Sequence, residues 1–316
     1  MRHILRSARL AALLLLVVVT LPGAASAVSA PVPPPASSRV APALLEPDER
    51  LAERVLAAPP SVFESAQVVS LYGHPSVRGL GVLGHYGPQE AADEVTRIAT
   101  SYDALNGDRD VIPALHLIVA VAQRRPMEDG SYLGRIAADV LATYVDLARE
   151  RGLLLFLDVQ VGWSDPLSEV QRLSWALAEP FVHLALDPEV ATRWAGLAPG
   201  LVVGRVEPAE VNAVQEYLAA LVRARALPPK LLVLHQFVDR MLPDPEQYAA
   251  LPEVELTIDM DGYGSQLAKL RNYQAFALAP HAERAGIKLF YDWDTLLLSP
   301  ERLQALEHPP DLVIYQ

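Results

Sequence analysis

Residues 153–160 read Leu153-Leu154-Leu155-Phe156-Leu157-Asp158-Val159-Gln160, an apolar run that ends in an acid. The run is continuous rather than alternating, which is typical of a parallel strand covered on both faces. Gly152 stands immediately before it, where a preceding helix has to end and turn. The stretch therefore predicts a buried parallel strand with polar groups at its carboxyl end.

Seven further apolar runs of this kind occur along the chain, and helical patterns separate them. They cover residues 68–73, 112–119, 182–187, 231–235, 254–259, 287–292 and 312–315. Residues 153–158 are the eighth run. Eight strand-then-helix units in about 250 residues predict an α/β fold, the (β/α)8 TIM barrel, as a single domain. The chief rival is an open doubly wound sheet, which usually has a glycine-rich phosphate loop after its first strand. Residues 72–75 lack that pattern.

One further segment, residues 201–206, is also strand-like and is a rival to the last run for a place in the barrel. We interpret it as part of a long loop after the fourth strand, because the last run would otherwise have no partner. Prolines mark predicted helix starts at Pro88, Pro166, Pro208 and Pro300, since a first helical position tolerates proline.

The N-terminal residues predict export. Residues 1–27 contain three arginines, an apolar stretch over residues 10–19 and a small-residue cleavage site, the pattern of a secretory signal peptide. The apolar stretch is far shorter than the roughly 20 residues of a membrane span. Residues 28–45 are rich in Pro, Ser and Ala and predict an extended linker. The barrel domain is then expected over residues 46–316, in a secreted, extracellular, monomeric protein that is not embedded in a membrane.

Composition narrows the chemistry. Removing residues 1–27 takes away three arginines and no acids, which leaves 23 basic and 38 acidic residues, or 15 net negative charges. A surface of that sign disfavours nucleic acid as a partner. The chain contains no cysteine, so neither disulfides nor thiol catalysis are available. We expect no cofactor, with a divalent metal as the alternative.

Polar residues follow the predicted strands at the end where a (β/α)8 barrel builds its active site. In chain order they are His74, His116, Asp158, Gln160, Asp187, Glu189, His235, Gln236, Asp259, Asp261, Asp292 and Asp294. Four strand ends repeat an acid followed two residues later by an acid or an amide, and side chains two apart on a strand point the same way. One such acid is ordinarily a helix cap, but the repetition predicts a cluster at the barrel mouth.

Paired carboxyl groups at a barrel mouth favour glycosidic bond hydrolysis, which needs one protonated and one ionised carboxyl group. The predicted pair is Glu189 and Asp292, and either Asp259 or Asp158 is a substitute for one of them. The predicted substrate-binding residues surround this pair. They are His74, Asp187, His235, Asp261, Asp294, Trp163, Trp194, Trp293, Tyr72, Tyr291 and Arg205.

Aromatic residues support this interpretation. Trp163, Trp194 and Trp293 fall just beyond strand ends, where an indole face beside polar groups suits a sugar ring. Trp175 falls in a helical segment and is expected in the core.

Two other functions remain open at this point. The first is metal-dependent hydrolysis, because His116, Asp158, Asp187, His235 and Asp259 come from consecutive strands and are suitable ligand types. No H-x-H or H-E-x-x-H spacing supports it. The second is a noncatalytic barrel that binds a cell-wall polymer.

In outline, residues 65–316 resemble the secreted bacterial glycoside hydrolases of the (β/α)8 type. Many of those enzymes have an Asn-Glu pair at the end of the fourth strand and a Glu at the seventh. The corresponding segments here read Asp187-Pro188-Glu189 and Asp292-Trp293-Asp294. The resemblance implies an acid/base role for Glu189 and a polysaccharide or cell-wall glycan as the partner.

Overall fold

Eight parallel strands close into a barrel in the computed structural model, which describes residues 60–316. The barrel strands are β1 (Ala66–Gly73), β2 (Asp110–Ala122), β4 (Leu154–Gln160), β5 (Val182–Asp187), β6 (Lys230–Gln236), β7 (Val254–Met260), β8 (Arg284–Leu289) and β9 (Leu312–Tyr315). A short strand β3 (Leu133–Arg135) pairs antiparallel with the end of β2. Because β1 pairs with both β2 and β9, the ring of strands is closed. The predicted (β/α)8 fold is confirmed.

Helices cover the outside of this barrel. They are α1 (Val62–Ser65), α2 (Pro88–Asp103), α3 (Ala138–Arg151), α4 (Pro166–Arg172), α5 (Ser174–Leu177), α6 (Pro208–Arg225), α7 (Gln266–Asn272) and α8 (Pro300–Gln304). The four prolines open helices as predicted. The expected helix between β6 and β7 is replaced by two single turns of 3-10 helix, Asp239–Met241 and Pro245–Gln247. The predicted signal peptide, the linker and residues 46–59 lie outside the described residues.

The strands carry apolar side chains on both faces, which explains why their sequence does not alternate. Leu155 and Leu157 of β4 point outward into a core shared with the helices. Leu154 and Phe156 of the same strand point into the barrel, where they join a second cluster. Each strand therefore separates two apolar layers, as expected for a barrel wrapped in helices.

One strand differs from its prediction. The seventh barrel strand, β8, spans Arg284–Leu289 rather than residues 287–292, so Gly286 lies inside it and not before it. Gly286 pairs with Asp259 of β7, and a Cβ atom there would lie 3.1–3.2 Å from Asp259 atoms. The glycine provides room for a carboxylate and does not mark a helix end. Residues 290–294 consequently lie beyond the strand, on a turn at the rim.

Two further expectations have clear outcomes. Residues 201–206 lie in the loop after β5, as predicted. The core prediction for Trp175 is wrong, because its side chain is 47% exposed at the start of the short helix α5, whose next residues, Ala176 and Leu177, provide the buried face. Among residues 60–316, no helix combines the length and apolarity required to cross a bilayer.

Candidate functional site

The inner face of the barrel changes from apolar to polar toward the carboxyl ends of the strands. On β4, Leu154 and Phe156 are followed two residues later by Asp158. On β6, Leu231 and Val233 are followed by His235. Side chains two residues apart share a face, so the same alternation that fills the barrel with apolar groups also places the polar ones inside it. We call the resulting set the inner polar group. It comprises His116, Asp158, Asp187, His235, Asp259, Asp261 and Lys288.

His235 is the centre of the inner polar group. Its Nδ1 atom lies 2.8 Å from Oδ2 of Asp259 on the neighbouring strand, and its Nε2 atom lies 3.0 Å from Oδ2 of Asp158. Asp261 approaches the same Nδ1 at 3.6 Å. The imidazole is fully buried, as are the Asp158 and Asp259 side chains. Burial and Lys288 lower the pKa of His235, but the attraction of Asp158 and the hydrogen bonds to both aspartates outweigh them and raise it well above its usual range.

Asp158 remains ionised in this environment. Burial alone raises the pKa of its carboxyl group, because a charge is poorly solvated inside the barrel. The charge of His235 and the hydrogen bond from its ring have the opposite effect and hold the pKa well below its usual range. His235 and Asp158 therefore form a buried ion pair in the lumen of the barrel.

Lys288 supplies a second buried cation. Its Nζ atom lies 3.2 Å from both carboxylate oxygens of Asp261 and 3.5 Å from the centre of the Tyr72 ring. The Lys288 side chain is 2% exposed, and the neighbouring acids raise its pKa in spite of burial. Burial raises the pKa of Asp261, Lys288 and His235 lower it, and the result is about 6.

Glu189 and Asp187 lie at the lip of the mouth, on the turn that follows β5. Asp187 accepts a hydrogen bond from the backbone N–H of Glu189 at 2.9 Å, which fixes the turn. Gly204 of the following loop donates its N–H to the Glu189 carbonyl at 2.5 Å. A Cβ atom at Gly204 would lie 2.3 Å from the Pro188 carbonyl oxygen, so only glycine permits this contact. The loop after β5 thus clamps the backbone that carries Glu189.

The Glu189 carboxyl group favours its protonated form. Burial raises its pKa first, and the charges of Asp187 and Asp261 raise it further. Lys288 and His235 lower it, but the balance raises the pKa to about 8. At neutral pH, Glu189 carries a proton while Asp158 does not.

Aromatic side chains flank the mouth on two sides. Trp163 and Trp194 follow β4 and β5, and Trp163 is held in place by a 2.9 Å hydrogen bond from Nε1 to the Leu197 carbonyl. Across the mouth, Trp293 stacks on Phe290 with a ring separation of 5.6 Å and is 38% exposed. Tyr291 is exposed beside it and stacks on Tyr315.

A cavity of about 490 Å³ opens at the rim, between the loop after β1 and the turn after β8. Its walls include Tyr86, Phe290, Tyr291 and Trp293, and Arg97 contributes a positive charge. The cavity adjoins the inner polar group through Phe290, whose ring centre lies 5.6 Å from Lys288 Nζ.

The structure gathers some of the predicted site residues and disperses others. It brings together Asp158, Asp187, Glu189, His235, Asp259, Asp261 and Tyr72, with His116 from the metal alternative. Asp292 is exposed on the rim turn and lines the cavity. Asp294 is paired with Lys269 at 3.0 Å and accepts backbone N–H bonds from Gly264 and Phe290. His74 accepts a bond from the Ser76 N–H in its own turn.

Arg205, the remaining predicted binding residue, lies at the rim. Its guanidinium contacts Glu207 at 2.6 Å and stacks on Trp194 at 4.4 Å.

Sequence reasoning missed Lys288, the cation that balances the acids. A signal was present, since a lysine inside an apolar strand is unusual. Lys230 gives the same signal, however, and it lies at the opposite end of the barrel, where Nζ donates to the carbonyls of Glu179 and Val182. The position within the strand, and not the residue type, separates the two.

Comparisons with known proteins give matches among solved structures only. No family model matches the chain, and no curated protein matches it significantly. Among solved structures, a GH5 xyloglucan-specific endo-β-1,4-glucanase from a metagenomic library, in complex with cellotriose, is 10% identical with a TM-score of 0.38, over 84% of this chain and 89% of its own. A hyperthermophilic endo-β-1,4-glucanase in complex with substrate is 9% identical with a TM-score of 0.39, over 81% and 91%.

Proposed function

We propose that this protein hydrolyses glycosidic bonds in a polysaccharide outside the cell, with Glu189 as the general acid and Asp261 as its ionised partner. The observation that carries the proposal is the grouping of carboxyl groups at the carboxyl ends of β5 and β7, whose pKa values burial raises to different extents, to about 8 for Glu189 and to about 6 for Asp261. Asp261 replaces Asp292 of the sequence-based pair, because Asp292 lies on the exposed rim turn.

Glu189 meets the requirements of a general acid. It is half-buried at the lip, where a substrate reaches it from solvent. Burial and the charges of Asp187 and Asp261 keep the proton on the carboxyl group up to a pH of about 8. A glycosidic oxygen is a poor leaving group until it is protonated, and a neutral carboxyl group at this position supplies that proton.

Asp261 meets the requirements of the second carboxylate. Its ion pair with Lys288 favours the charged form, and it is 8% exposed, so it borders the open mouth. Asp261 follows β7 and Glu189 follows β5, with β6 between them. At a strand spacing of about 4.8 Å, two steps around the barrel separate these backbones by about 10 Å or less. A backbone spacing of that size is compatible with the roughly 5–9.5 Å that separates the two carboxyl groups of glycosidases.

The rim supports a polymeric substrate. Exposed indole rings at Trp194 and Trp293 lie on either side of the mouth, where they are suited to the apolar faces of successive sugars. An extended chain laid between them passes over Glu189 and Asp261. The predicted signal peptide places this activity outside the cell, where such polymers occur.

The test is the release of reducing ends from a panel of plant and bacterial polysaccharides by the purified protein. We expect hydrolysis of at least one polymer, and a loss of about 10²- to 10⁴-fold in kcat for Glu189→Gln and for Asp261→Asn. Glu283→Gln is the matched control, because Glu283 also has a raised pKa but lies away from the mouth, bonded to the Leu256 N–H.

Two results contradict the proposal. One is a wild-type protein that binds a glycan without cleaving it, which favours a noncatalytic binding barrel. The other is full activity in Glu189→Gln. Circular dichroism and thermal melting of each variant show whether a loss of activity reflects loss of the fold.

A further inference from the structure

His116 is a buried side chain that the proposed hydrolysis does not use. It lies on the inner face of β2 with no exposed surface, Nδ1 has no hydrogen-bond partner, and Nε2 makes only a long contact of 3.4 Å to Asp158. A buried polar group without a partner destabilises the fold, because it has lost its hydrogen bonds to water. Such a cost in the interior of a barrel points to a ligand that is not protein.

The orientation of His116 is fixed by aromatic neighbours. Its ring stacks on Phe156 at 5.1 Å with an interplanar angle of 18°, and Tyr72 packs at 5.1 Å from another side. These contacts aim Nε2 at Oδ2 of Asp158, 3.4 Å away. The same carboxylate oxygen lies 3.0 Å from Nε2 of His235.

Three ligand atoms therefore converge on one point from three strands. They are His116 Nε2, Asp158 Oδ2 and His235 Nε2, all within 4.8 Å of one another. Around a tetrahedral zinc ion with bonds of about 2.0–2.2 Å, neighbouring ligand atoms lie roughly 3.3–3.5 Å apart. The distances from Asp158 Oδ2 to the two histidine nitrogens, 3.4 and 3.0 Å, are close to those values.

The surroundings of His235 match those of a metal ligand. A histidine that binds a metal through one ring nitrogen usually donates the other N–H to a carboxylate, which fixes the ring. Asp259 is in that position, 2.8 Å from Nδ1. A second possible grouping, His235 with Asp259 and Asp261, is less suitable because Asp259 already holds Nδ1 and Asp261 is paired with Lys288.

We propose that His116, Asp158 and His235 bind one divalent transition-metal ion of the zinc type, in the barrel lumen beneath the Glu189 and Asp261 pair. Two imidazoles and one carboxylate suit zinc and its neighbours in the first transition row. The ion takes the place of the proton on His235 Nε2 and replaces the long contact of His116 Nε2 with a metal bond. This site is separate from the proposed acid and base, and it stands or falls without them.

The test is metal binding, measured without substrate. The full chain is stripped with a chelator and titrated with Zn²⁺ by calorimetry and with Co²⁺ by visible absorption. We expect one equivalent to bind, with the ligand-field bands of a nitrogen- and oxygen-ligated Co²⁺ ion. His116→Phe keeps the ring stack while removing both nitrogens, and should weaken binding at least 100-fold.

His183→Phe is the matched control. His183 is also buried on the inner face, with its ring tilted by 37° against Phe156 at 5.5 Å and with Nε2 unpaired, but its Nδ1 accepts a bond from the Leu231 N–H in the lower part of the barrel, away from the other ligands. Zinc binding should be unchanged in it. Less than 0.2 equivalents bound by wild type, or equal affinity in His116→Phe, overturns the site. Glycan hydrolysis that persists in the stripped protein leaves the proposed function intact, so the two proposals fail separately.

Discussion

The two ends of the barrel both bury charged side chains, but they treat them differently. At the end where the strands begin, Arg284 pairs with Glu255 at 2.6 Å and Arg109 pairs with Asp311 at 2.6 Å. Lys230 donates to two backbone carbonyls at 2.6 and 2.8 Å. Each arginine is paired with one acid, and Lys230, whose pKa burial lowers to about 7, is bound by two carbonyls.

At the end where the strands finish, several buried polar atoms have no hydrogen-bond partner. Oδ1 of Asp158, Oδ1 of Asp259 and both nitrogens of His116 are buried without a hydrogen-bond partner. Glu189 keeps a proton because burial, and then the charges of Asp187 and Asp261, raise its pKa. Buried polar groups that are left unsatisfied cost stability, and proteins keep them where a ligand or a reaction needs them. Unpaired atoms also occur nearer the other end, at His183 Nε2 and Glu253 Oε2, so the difference lies in charge. The acids where the strands finish outnumber Lys288 and His235, and we therefore assign chemistry to that end.

The largest expected effect tests this division with two buried lysines. Lys288→Met leaves Asp261 and its acidic neighbours without their cation, and we expect the free energy of unfolding to fall by about 3–5 kcal/mol. Lys230→Met at the other end should cost about 1 kcal/mol or less at pH 7.5, because burial lowers the pKa of Lys230 to about 7 and the neutral form already dominates. Denaturant unfolding measures both, and equal losses would contradict the division.

The stabilities of the two lysine variants should also depend differently on pH. The folded-state pKa of Lys230 is depressed from 10.5, so its contribution to the free energy of unfolding is full above about pH 10.5 and is lost as the pH falls through about 7. Lys230→Met should remove that part of the acid destabilisation, and its stability relative to wild type should improve toward low pH. Lys288→Met should show no such recovery, since neighbouring acids raise the pKa of Lys288.

The second effect is an alkaline limit on hydrolysis. The acidic role of Glu189 requires its proton, so kcat should fall tenfold per pH unit above about 8. The groups that set this limit are Asp187, Asp261, Lys288 and His235. A pH–rate profile measures the limit, and Glu283→Gln should leave it in place. A profile that is flat up to pH 10 is incompatible with Glu189 as the acid.

The raised pKa of Glu189 also predicts how the stability of the protein changes with pH. Because the folded-state pKa of Glu189 is raised, its contribution to stability is present below pH 4.5 and is lost as the pH rises through about 8. Glu189→Gln should therefore melt at a higher temperature than wild type at pH 9. Melting curves at pH 5 and pH 9 check the sign, and a variant that is less stable at both would count against the raised pKa.

A third effect tests how Glu189 is positioned. Gly204→Val places a side chain where the Pro188 carbonyl oxygen lies, so the loop after β5 must move. We expect a loss of about 1–3 kcal/mol in stability and at least a tenfold fall in kcat. Gly87→Ala is the control, because the nearest atom to its added Cβ is a side-chain oxygen of Glu90 at 3.5 Å. Activity measured well below the melting temperature of each variant separates misplacement from unfolding.

The smallest effect concerns the rim. Trp293→Ala removes an exposed ring beside the mouth, and we expect KM for a polymeric glycan to rise about 5- to 10-fold with a smaller change in kcat. Trp175→Ala removes an indole of similar exposure on helix α5 and should change neither. A KM that responds to both substitutions, or to neither, would remove the rim aromatics from the substrate path.

The sequence predicts the barrel well because its signal is repeated. Each strand needs apolar side chains on two faces, and that requirement recurs eight times along the chain. Asp158 and His235 come together in the lumen because side chains alternate between the two faces of each strand. Asp292 shows the limit of this reasoning, since a shift of three residues in the start of β8 moves it from the strand end to the rim. The cause of that shift is Gly286, whose small size matters only next to Asp259 on another strand.

The bond between His235 and Asp158 has a mechanical consequence. These residues lie on β6 and β4, which are separated by β5. Their hydrogen bond therefore joins two strands that do not pair with each other in the sheet. The hydrogen bonds from His235 to Asp158 and to its pairing partner Asp259 together join three strands, β4, β6 and β7. Amide hydrogens of β4, β6 and β7 should consequently exchange with solvent together and slowly, as one cooperative unit.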